Sequence, residues 1–270
     1  MKKSDVPMIE IVHLKKSFDS KPVLRDVNLN IERGKVTVII GRSGCGKSVL
    51  LKLILGLIKP DGGKIFVEGK EITSMGQAEI YEVRRKFGML FQNAALFDSM
   101  TVEENMALPL IEHSDLPYSE IKQRVEEKLK MVGLPGVEPL KPAELSGGMR
   151  KRVGLARALM MEPDIVLYDE PTTGLDPIMA DVIDNVILGF NKNLGITSIV
   201  VTHDMSSVYK IADRVAMIQR GVVLFNGTPE ELKKTEDPVV RQFIEGKAEG
   251  PIKVNREIIY TRKPEEEKLL

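Results

Sequence analysis

Residues 41–48 read Gly-Arg-Ser-Gly-Cys-Gly-Lys-Ser, the pattern of a phosphate-binding loop. Apolar runs at residues 36–40 and 49–55 flank this segment, so the loop is predicted to join a buried strand to a helix. Glycines let successive backbone N–H groups converge on phosphate oxygens, and the helix N-terminus adds unpaired donors. We therefore expect a nucleoside triphosphate to bind to Gly41, Arg42, Ser43, Gly44, Cys45, Gly46, Lys47, Ser48 and Val49.

Two adjacent acidic residues, Asp169 and Glu170, end a later apolar run at residues 165–168. Two carboxylates at the end of a buried strand are typical of nucleotide hydrolysis when a phosphate loop precedes them. We expect Asp169 to orient Mg²⁺ or its waters, and Glu170 to polarise the water that attacks the γ-phosphorus. Lys47 would reach the β- and γ-phosphates, and the Ser48 hydroxyl would bind the Mg²⁺ that accompanies them.

The composition sets limits on the class of protein. A chain of 270 residues with 43% apolar content can form one large α/β domain, with or without appendages. Lys+Arg and Asp+Glu both number 39, so no overall basic charge favours nucleic acid. The single cysteine excludes an internal disulfide and fits a reducing compartment. Because neither a signal peptide nor a run of about 20 apolar residues is present, we expect a cytoplasmic protein whose membrane role comes through a partner.

Hydrophobic periodicity predicts the elements around the loop. Residues 8–14 and 23–31 are typical of strands, the second with a loop inside it, and Asp61-Gly62-Gly63 is typical of a hairpin turn. Residues 101–161 show helical spacing. Further buried strands are indicated at residues 165–168, 196–201, 215–218 and 222–225. The sequence therefore predicts an α/β fold, with a small antiparallel sheet beside the phosphate-loop core.

A second anion-binding helix start is predicted at Leu145-Ser146-Gly147-Gly148-Met149. One nucleotide held by the phosphate loop does not need two such cradles in one subunit. We therefore expect the second cradle to serve a nucleotide on a partner, in a head-to-tail pair of two copies of this chain. A small-molecule kinase is disfavoured, because the second cradle would have no task in a monomer.

Together these motifs resemble those of the ATP-binding-cassette (ABC) ATPases, over roughly residues 9–246. The resemblance implies a P-loop NTPase fold with a RecA-like core, an N-terminal antiparallel β-subdomain and an α-helical signature subdomain at about residues 93–162. The ATPase domain would span residues 8–245, followed by a C-terminal extension, 246–270. Two alternatives stay open for this extension: it clasps the second subunit, or it is disordered. The implied activity is ATP hydrolysis coupled to transport, with ATP and Mg²⁺ bound.

The resemblance also implies roles for single residues. Gln92 matches the Q-loop glutamine, which contacts Mg²⁺ or the lytic water, and His203 matches the switch histidine, which bonds the γ-phosphate. Asp176 would face the opposite subunit's phosphate loop, and Phe18 would lie under the adenine ring. The implied catalytic residues are Lys47, Gln92, Glu170 and His203. The implied metal ligands are Ser48, Gln92 and Asp169, and the remaining nucleotide contacts are Phe18, Ser146, Gly147, Gly148 and Asp176.

A methionine, Met149, stands where the family's signature usually has glutamine, and Arg150-Lys151-Arg152 follows it. These residues, with residues 92–102, Asn105 and Pro109, resemble the branch that serves Mla- and Mce-type lipid transporters. That branch implies a second copy of the chain, an MlaE-like integral-membrane permease, an MCE substrate-binding protein and a small regulatory subunit as partners. It also implies a position on the cytoplasmic face of the inner membrane. Amino-acid and metal importers remain alternatives, and so, less favoured, do ABC ATPases acting on DNA or ribosomes.

Cys45 lies at the predicted start of the helix, where a thiolate is favoured. We therefore expect maleimide to modify Cys45 and block hydrolysis, and bound ATP to slow the modification. The alternative is that Cys45 is a small residue that fits the loop.

Overall fold

The computed structural model describes residues 6–253 of the chain. They fall into two compact units, one that ends at Lys234 and one that begins at Thr235. The boundary at residue 245, which the resemblance implies, stays a prediction. Residues 254–270, which make up most of the C-terminal extension, lie outside the described residues, and so does the clasp of the second subunit.

The strands of the large unit form one sheet of ten in the described part of the chain, in the order β5-β4-β1-β2-β10-β9-β3-β8-β7-β6. Their bounds are β1 Ile9–Phe18, β2 Lys21–Ile31, β3 Val36–Ile40, β4 Gly62–Val67, β5 Lys70–Glu71, β6 Phe87–Leu90, β7 Ile165–Asp169, β8 Thr197–Val201, β9 Arg214–Gln219 and β10 Val222–Gly227.

The strands that position the site are β3, β8, β7 and β6, which are parallel neighbours in the sheet. β3 and β8 are buried along their whole length, which explains their continuous runs of Val, Ile and Thr. Parallel strands end at the same edge of a sheet, and ligands of open α/β sheets bind beyond that edge. The predicted site residues of the core follow these strands, so the fold brings them to one edge.

The antiparallel part is formed by β1 with β2 and by β1 with β4. Two predictions are wrong here. β2 is continuous, without the expected internal loop. Asp61-Gly62-Gly63 forms no hairpin turn, because Asp61 directly precedes β4 and the two glycines are its first residues. Gly63 (φ 82°) is required by a close approach: a Cβ there would lie 2.3 Å from the His13 carbonyl oxygen on the neighbouring strand.

The helices of the described residues confirm the predicted helical region. Residues 101–161 contain α3, α4 and α5, and Ile121, Val125 and Leu129 are buried on one face of α4. The helix bounds are α1 Lys47–Ile54, α2 Gln77–Arg84, α3 Val102–His113, α4 Tyr118–Met131, α5 Gly147–Ala158, α6 Pro177–Leu194, α7 Met205–Ile211, α8 Pro229–Lys234 and α9 Pro238–Ile244. Within residues 6–253, no helix combines the length and the apolar character that crossing a membrane requires.

The small unit contains α9 and the residues that follow it. Asp237 caps the N-terminus of this helix by accepting hydrogen bonds from the N–H groups of Val239 and Val240. The buried Gln242 side chain accepts from the Ile252 N–H (2.6 Å) and donates to the carbonyls of Lys247 and Ile252. These bonds fold the first residues of the extension back onto the helix.

Candidate nucleotide-binding site

The phosphate loop joins β3 to α1, as its sequence predicts. The N-cap of α1 is Gly46, which has no side chain to accept from the first N–H groups of the helix, so these donors point toward a ligand. Lys47 is buried, and its Nζ donates to the carbonyls of Gly41 (2.7 Å) and Arg42 (3.3 Å). Its ammonium group therefore lies inside the curl of the loop, close to where a triphosphate would lie.

Glycine is required by space as well as by backbone conformation at two positions of the loop. Gly41 has φ 150°, and a Cβ there would lie 2.4 Å from the Ile218 carbonyl oxygen. Gly46 has φ 105°, and a Cβ would lie 2.7 Å from the buried Leu24 side chain. The loop is thus packed tightly against the sheet, which leaves its outer face, including Ser43, exposed.

A hydroxyl and a carboxylate meet at the end of the loop. Ser48 Oγ donates to Asp169 Oδ1 at 3.1 Å, and burial raises the pKa of Asp169 above its ordinary value. Mg²⁺ prefers oxygen ligands and takes one or two from the protein, with waters and phosphate oxygens completing the set. No group of three or more His, Cys, Asp or Glu side chains in residues 6–253 could hold a metal alone. Ser48 and Asp169 therefore fit a magnesium ion that binds together with the nucleotide.

Glu170 is held in place by residues from two further segments. Its carboxylate is mostly buried, 13% exposed, and its Oε2 accepts from Thr173 Oγ1 (2.9 Å) and lies 2.8 Å from His203 Nδ1. The backbone of Glu170 is left-handed, with φ 52°, and its N–H donates to the Val201 carbonyl. The His203 side chain is 61% exposed, so its ring can also meet a ligand. The structure thus brings together two of the predicted catalytic residues, Glu170 and His203. The contact of Glu170 with Thr173 was not predicted from the sequence.

Gln92 follows β6 with an exposed side chain. Its backbone carbonyl accepts a hydrogen bond from Lys151 Nζ, which also donates to the Glu170 carbonyl at 3.1 Å. Burial lowers the pKa of Lys151, while Glu170 and Asp169 oppose that shift. From the sequence, Lys151 indicated only the branch of the family, and no role in the site was predicted for it. Its position could have been noticed, because it lies on α5 between the buried residues Gly148 and Leu155.

The helix start predicted for the second cradle is present, and its binding of a phosphate stays a prediction. Ser146 is the N-cap and accepts from the Met149 N–H at 3.2 Å. Ser146 and Gly147 are exposed, and a Cβ at Gly147 would make only an ordinary contact, 3.8 Å, with Leu175.

Asp176 and Phe18 lie at exposed ends of their elements. Asp176 is the N-cap of α6, and its Oδ1 accepts from the N–H groups of Ile178 and Met179, both at 3.0 Å. Phe18 ends β1 with its ring 44% exposed and Lys16 Nζ 5.4 Å from the ring centroid. Their predicted contacts, with the opposite subunit and with adenine, stay predictions.

The thiolate predicted at Cys45 is wrong. The side chain is partly buried, and this burial raises the pKa of the thiol, despite the opposing effects of Lys47 and of backbone N–H groups. The thiol packs beside Gly41, where an added Cβ would lie 2.7 Å from its Sγ. Slow reaction with maleimide follows from this position.

Comparison with known proteins identifies the family. The ABC transporter family model matches residues 24–173. Among curated proteins, the chain is 44% identical over 262 residues to the probable ribonucleotide transport ATP-binding protein mkl of Mycobacterium leprae, covering 97% of this chain and 76% of the relative. It is 43% identical over 246 residues to the intermembrane phospholipid transport system ATP-binding protein MlaF of Haemophilus influenzae, covering 91% and 93%. MlaF of Escherichia coli K12 is 40% identical, covering 93% and 94%.

Solved structures agree with this assignment. A dimeric ATP-binding cassette in a post-hydrolysis state, bound to ADP and Pi, matches with a TM-score of 0.76 and 33% identity, covering 82% of this chain and 98% of that one. A subunit of the ABC transporter complex cbiONQ from Clostridium perfringens matches with a TM-score of 0.79 and 33% identity, covering 88% and 94%. The predicted fold and the predicted ATPase class are confirmed. The chain belongs to the ABC transporter family.

Proposed function

We propose that this chain is the ATP-hydrolysing subunit of a transporter that moves phospholipid between bacterial membranes, and that it works as a homodimer. The observation that carries the hydrolytic part is the meeting of two pairs at one sheet edge. Ser48 meets Asp169 at 3.1 Å, and Glu170 meets His203 at 2.8 Å. The first pair suits a metal–nucleotide complex, and the second suits the activation of water next to a phosphate.

In this mechanism Lys47 exchanges its bonds with the loop carbonyls for bonds to the β- and γ-phosphates. The N–H groups of the loop and of the first turn of α1 surround the same oxygens. When bound, Mg²⁺ neutralises phosphate charge, and Ser48 and Asp169, with Gln92, are the residues that would hold it. Binding of ATP thus uses donors that the loop already orients.

Glu170 acts as the general base in this proposal. Its carboxylate accepts from Thr173 and lies 2.8 Å from His203 Nδ1, contacts that fix its direction, and it takes the proton of the attacking water. His203 also donates to the γ-phosphate and stabilises the charge that develops on it. Because Thr173 holds the same oxygen, Glu170 keeps its position when His203 turns toward the nucleotide.

The second subunit completes each pocket. Ser146 of the partner subunit, with the glycines that follow it, would close over the γ-phosphate from the opposite side. The support is that Ser146 and Gly147 are exposed, and that the dimeric cassettes among the solved structures are similar to this chain. Asp176 would lie at the same interface. ATP binding closes this sandwich, and hydrolysis with product release reopens it.

The transported class is proposed from the relatives called MlaF, which align over more than nine-tenths of this chain. The permease would be MlaE-like, with an MCE protein and a small regulatory subunit as further partners. Such a complex places the chain on the cytoplasmic face of the inner membrane. Phe97, with its side chain 51% exposed, lies in the stretch that would grip the permease.

Glu170→Gln tests the hydrolytic part. The amide keeps the shape of the carboxylate and cannot take a proton, so ATP binding and dimer closure should persist while phosphate release falls by about 10²–10⁴-fold. Phosphate release and ATP-dependent dimerisation are measured on the full-length chain in its native membrane complex. Glu127→Gln, on the exposed side of α4, is the matched control. Turnover of the Glu170 variant within about tenfold of wild type would remove Glu170 from the role of base.

A second candidate substrate is a ribonucleotide, because the mycobacterial relative at 44% identity has that name. One experiment separates the two candidates: the native complex is purified through a tag on this chain, and its subunits and bound small molecules are identified by mass spectrometry. Phospholipid that co-purifies with an MlaE-like permease supports the first proposal. Ribonucleotide at the permease, without lipid enrichment over a mock purification, supports the second.

A further inference from the structure

We propose that Lys151 is a positioning residue that connects the signature helix α5 to both catalytic loops. Its side chain is 6% exposed, and its Nζ donates to two backbone carbonyls. One belongs to Gln92, after β6, and the other to Glu170, after β7. A single ammonium group therefore joins three elements that are far apart in sequence. This proposal rests on the roles that the proposed function assigns to Gln92 and Glu170.

A buried ammonium group is costly, so its presence requires compensation. The transfer of a charged amine out of water is unfavourable unless hydrogen bonds and opposite charges replace the lost hydration. Lys151 finds two carbonyl oxygens and the nearby carboxylates of Glu170 and Asp169. An apolar residue would fill the same space without this cost. The contacts with the two loops are what a lysine supplies and an apolar residue cannot.

Both loops contain backbone that needs external support. Glu170 has φ 52°, and Ala94 and Ala95, just after Gln92, have φ 59° and 49°. Residues other than glycine adopt such left-handed conformations only where the surroundings hold them. α5 supplies the donors at each place: Lys151 bonds the Glu170 carbonyl, and Arg157 bonds the carbonyls of Ala94 and Ala95 at 2.8 Å. Of these two cations, only Lys151 reaches the carbonyls of both catalytic residues.

This arrangement couples closure of the dimer to the positions of the catalytic residues. α5 begins at Ser146, which in the proposed function meets the nucleotide of the other subunit, and Lys151 lies on the same rigid helix. A movement of α5 on closure is therefore transmitted directly to the carbonyls of Gln92 and Glu170. We expect Lys151 to affect the rate of hydrolysis more than the affinity for ATP, since its two hydrogen bonds go to the carbonyls of Gln92 and Glu170 and not to the phosphate loop.

The test compares Lys151→Met with Lys151→Arg in the full-length chain within its membrane complex. Methionine fills the space without a donor, so kcat should fall by about tenfold or more while the Kd for a fluorescent ATP analogue, MANT-ATP, changes by less than about twofold. Arginine can donate to two carbonyls, so it should recover most of the lost kcat. This separation of kcat from Kd, with recovery by arginine, is not expected of a lysine that only stabilises the fold.

Arg152→Met is the matched control. Arg152 is also a cation of α5 that donates to two backbone carbonyls, those of Val132 (3.1 Å) and Gly133 (3.2 Å), but both belong to the helical region around α4. Its loss should lower thermal stability and leave kcat within about twofold of wild type. If Lys151→Met does not fold, Lys151→Gln, which keeps one donor, replaces it, with an expected loss in kcat of more than about threefold.

Two results would overturn the proposal: a kcat of Lys151→Met within about twofold of wild type, or an equal loss of kcat in Arg152→Met. Glu170→Gln, measured beside them, separates the failure of this proposal from that of the proposed function. If Glu170→Gln is inactive while Lys151→Met is fully active, only the role of Lys151 is wrong. If Glu170→Gln hydrolyses ATP normally, the role of Glu170 is wrong, and the role of Lys151 is overturned with it.

Discussion

Asp184 should make the folded protein less stable as the pH rises from about 4 to about 6. Its side chain lies on α6 and is 3% exposed, and its Oδ1 has no hydrogen-bond partner among the described residues. Burial raises the pKa of Asp184 from 3.8 to about 6, because a charged carboxylate loses its hydration there. In the unfolded chain the same group titrates near its ordinary pKa. Between the two pKa values, the folded state therefore binds more protons than the unfolded state.

The sign and the size of the effect follow from this difference. Well below pH ~4 the carboxyl group is protonated in both states, and its burial carries no charge penalty; well above pH ~6 the folded state carries the full penalty. One pKa unit corresponds to about 1.4 kcal/mol, so the full penalty is about 3 kcal/mol. Asp184→Asn carries no charge. Its free energy of unfolding, relative to wild type, should therefore rise by about 2–2.5 kcal/mol between pH 4 and pH 7, because the unfolded carboxyl group is already about half ionised at pH 4. Any constant difference in packing cancels in this comparison.

Urea unfolding at several pH values between about 4 and 7.5 measures this gap. Asp181→Asn is a control of opposite sign on the same helix. Asp181 is exposed, and its hydrogen bond with Lys210 lowers its pKa, so its charge stabilises the folded state once the pH exceeds the unfolded pKa. That variant should therefore lose stability relative to wild type only as the pH rises toward about 4, and its gap to wild type should stay nearly constant above that. A gap for Asp184→Asn that stays constant over the whole range would refute the reasoning.

Two further substitutions test the nucleotide pocket and the loop that follows β6. Because the chain contains no tryptophan, Phe18→Trp introduces a single tryptophan at the predicted adenine contact, and ATP should quench its fluorescence. Phe97→Trp is the control. A similar quenching in the control, or none in Phe18→Trp, would contradict the stacking of residue 18 on adenine. Asn105→Ala should lower the free energy of unfolding by about 2–4 kcal/mol, because the buried amide accepts from the Phe97 N–H and donates to the carbonyls of Phe97, Met100 and Thr101. A loss below about 1 kcal/mol in thermal or urea unfolding would contradict this estimate.

The groups that carry the chemistry could be predicted because most of them are adjacent in sequence to a strongly patterned element. Gly41 to Ser48 follow an apolar strand, and Asp169 and Glu170 end another, so the strand order of a parallel sheet is enough to bring them together. The pairing of Asp169 with Val201 in the ladder explains why His203, just beyond β8, meets Glu170. No pattern in the sequence indicates that Thr173 shares the same carboxylate oxygen.

The antiparallel part was harder to predict, because its turns do not follow the usual residue preferences. The turn between β1 and β2 is made by Asp19 and Ser20 with φ 48° and 64°, and Ser20 stands where glycine is expected. The glycines at 62 and 63 are typical of such a turn, but here Gly63 admits the close approach of β1 to β4. Local preference therefore predicted a turn at residues that instead lead into and begin β4, which pairs with β1, a strand distant in sequence.

Lys151 shows why the supports of a site escape sequence analysis even when its chemistry does not. On a helical pattern, a lysine between buried Gly148 and Leu155 interrupts an apolar stripe, and nothing in α5 itself favours it. The carbonyls that it meets come from loops after β6 and β7, one of them at a left-handed residue, Glu170. Each feature alone is unfavourable, since a buried ammonium group lacks water and a left-handed glutamate is strained. The hydrogen bond between Lys151 and the Glu170 carbonyl offsets both costs. We therefore expect the buried lysine and the left-handed conformation of Glu170 to depend on each other.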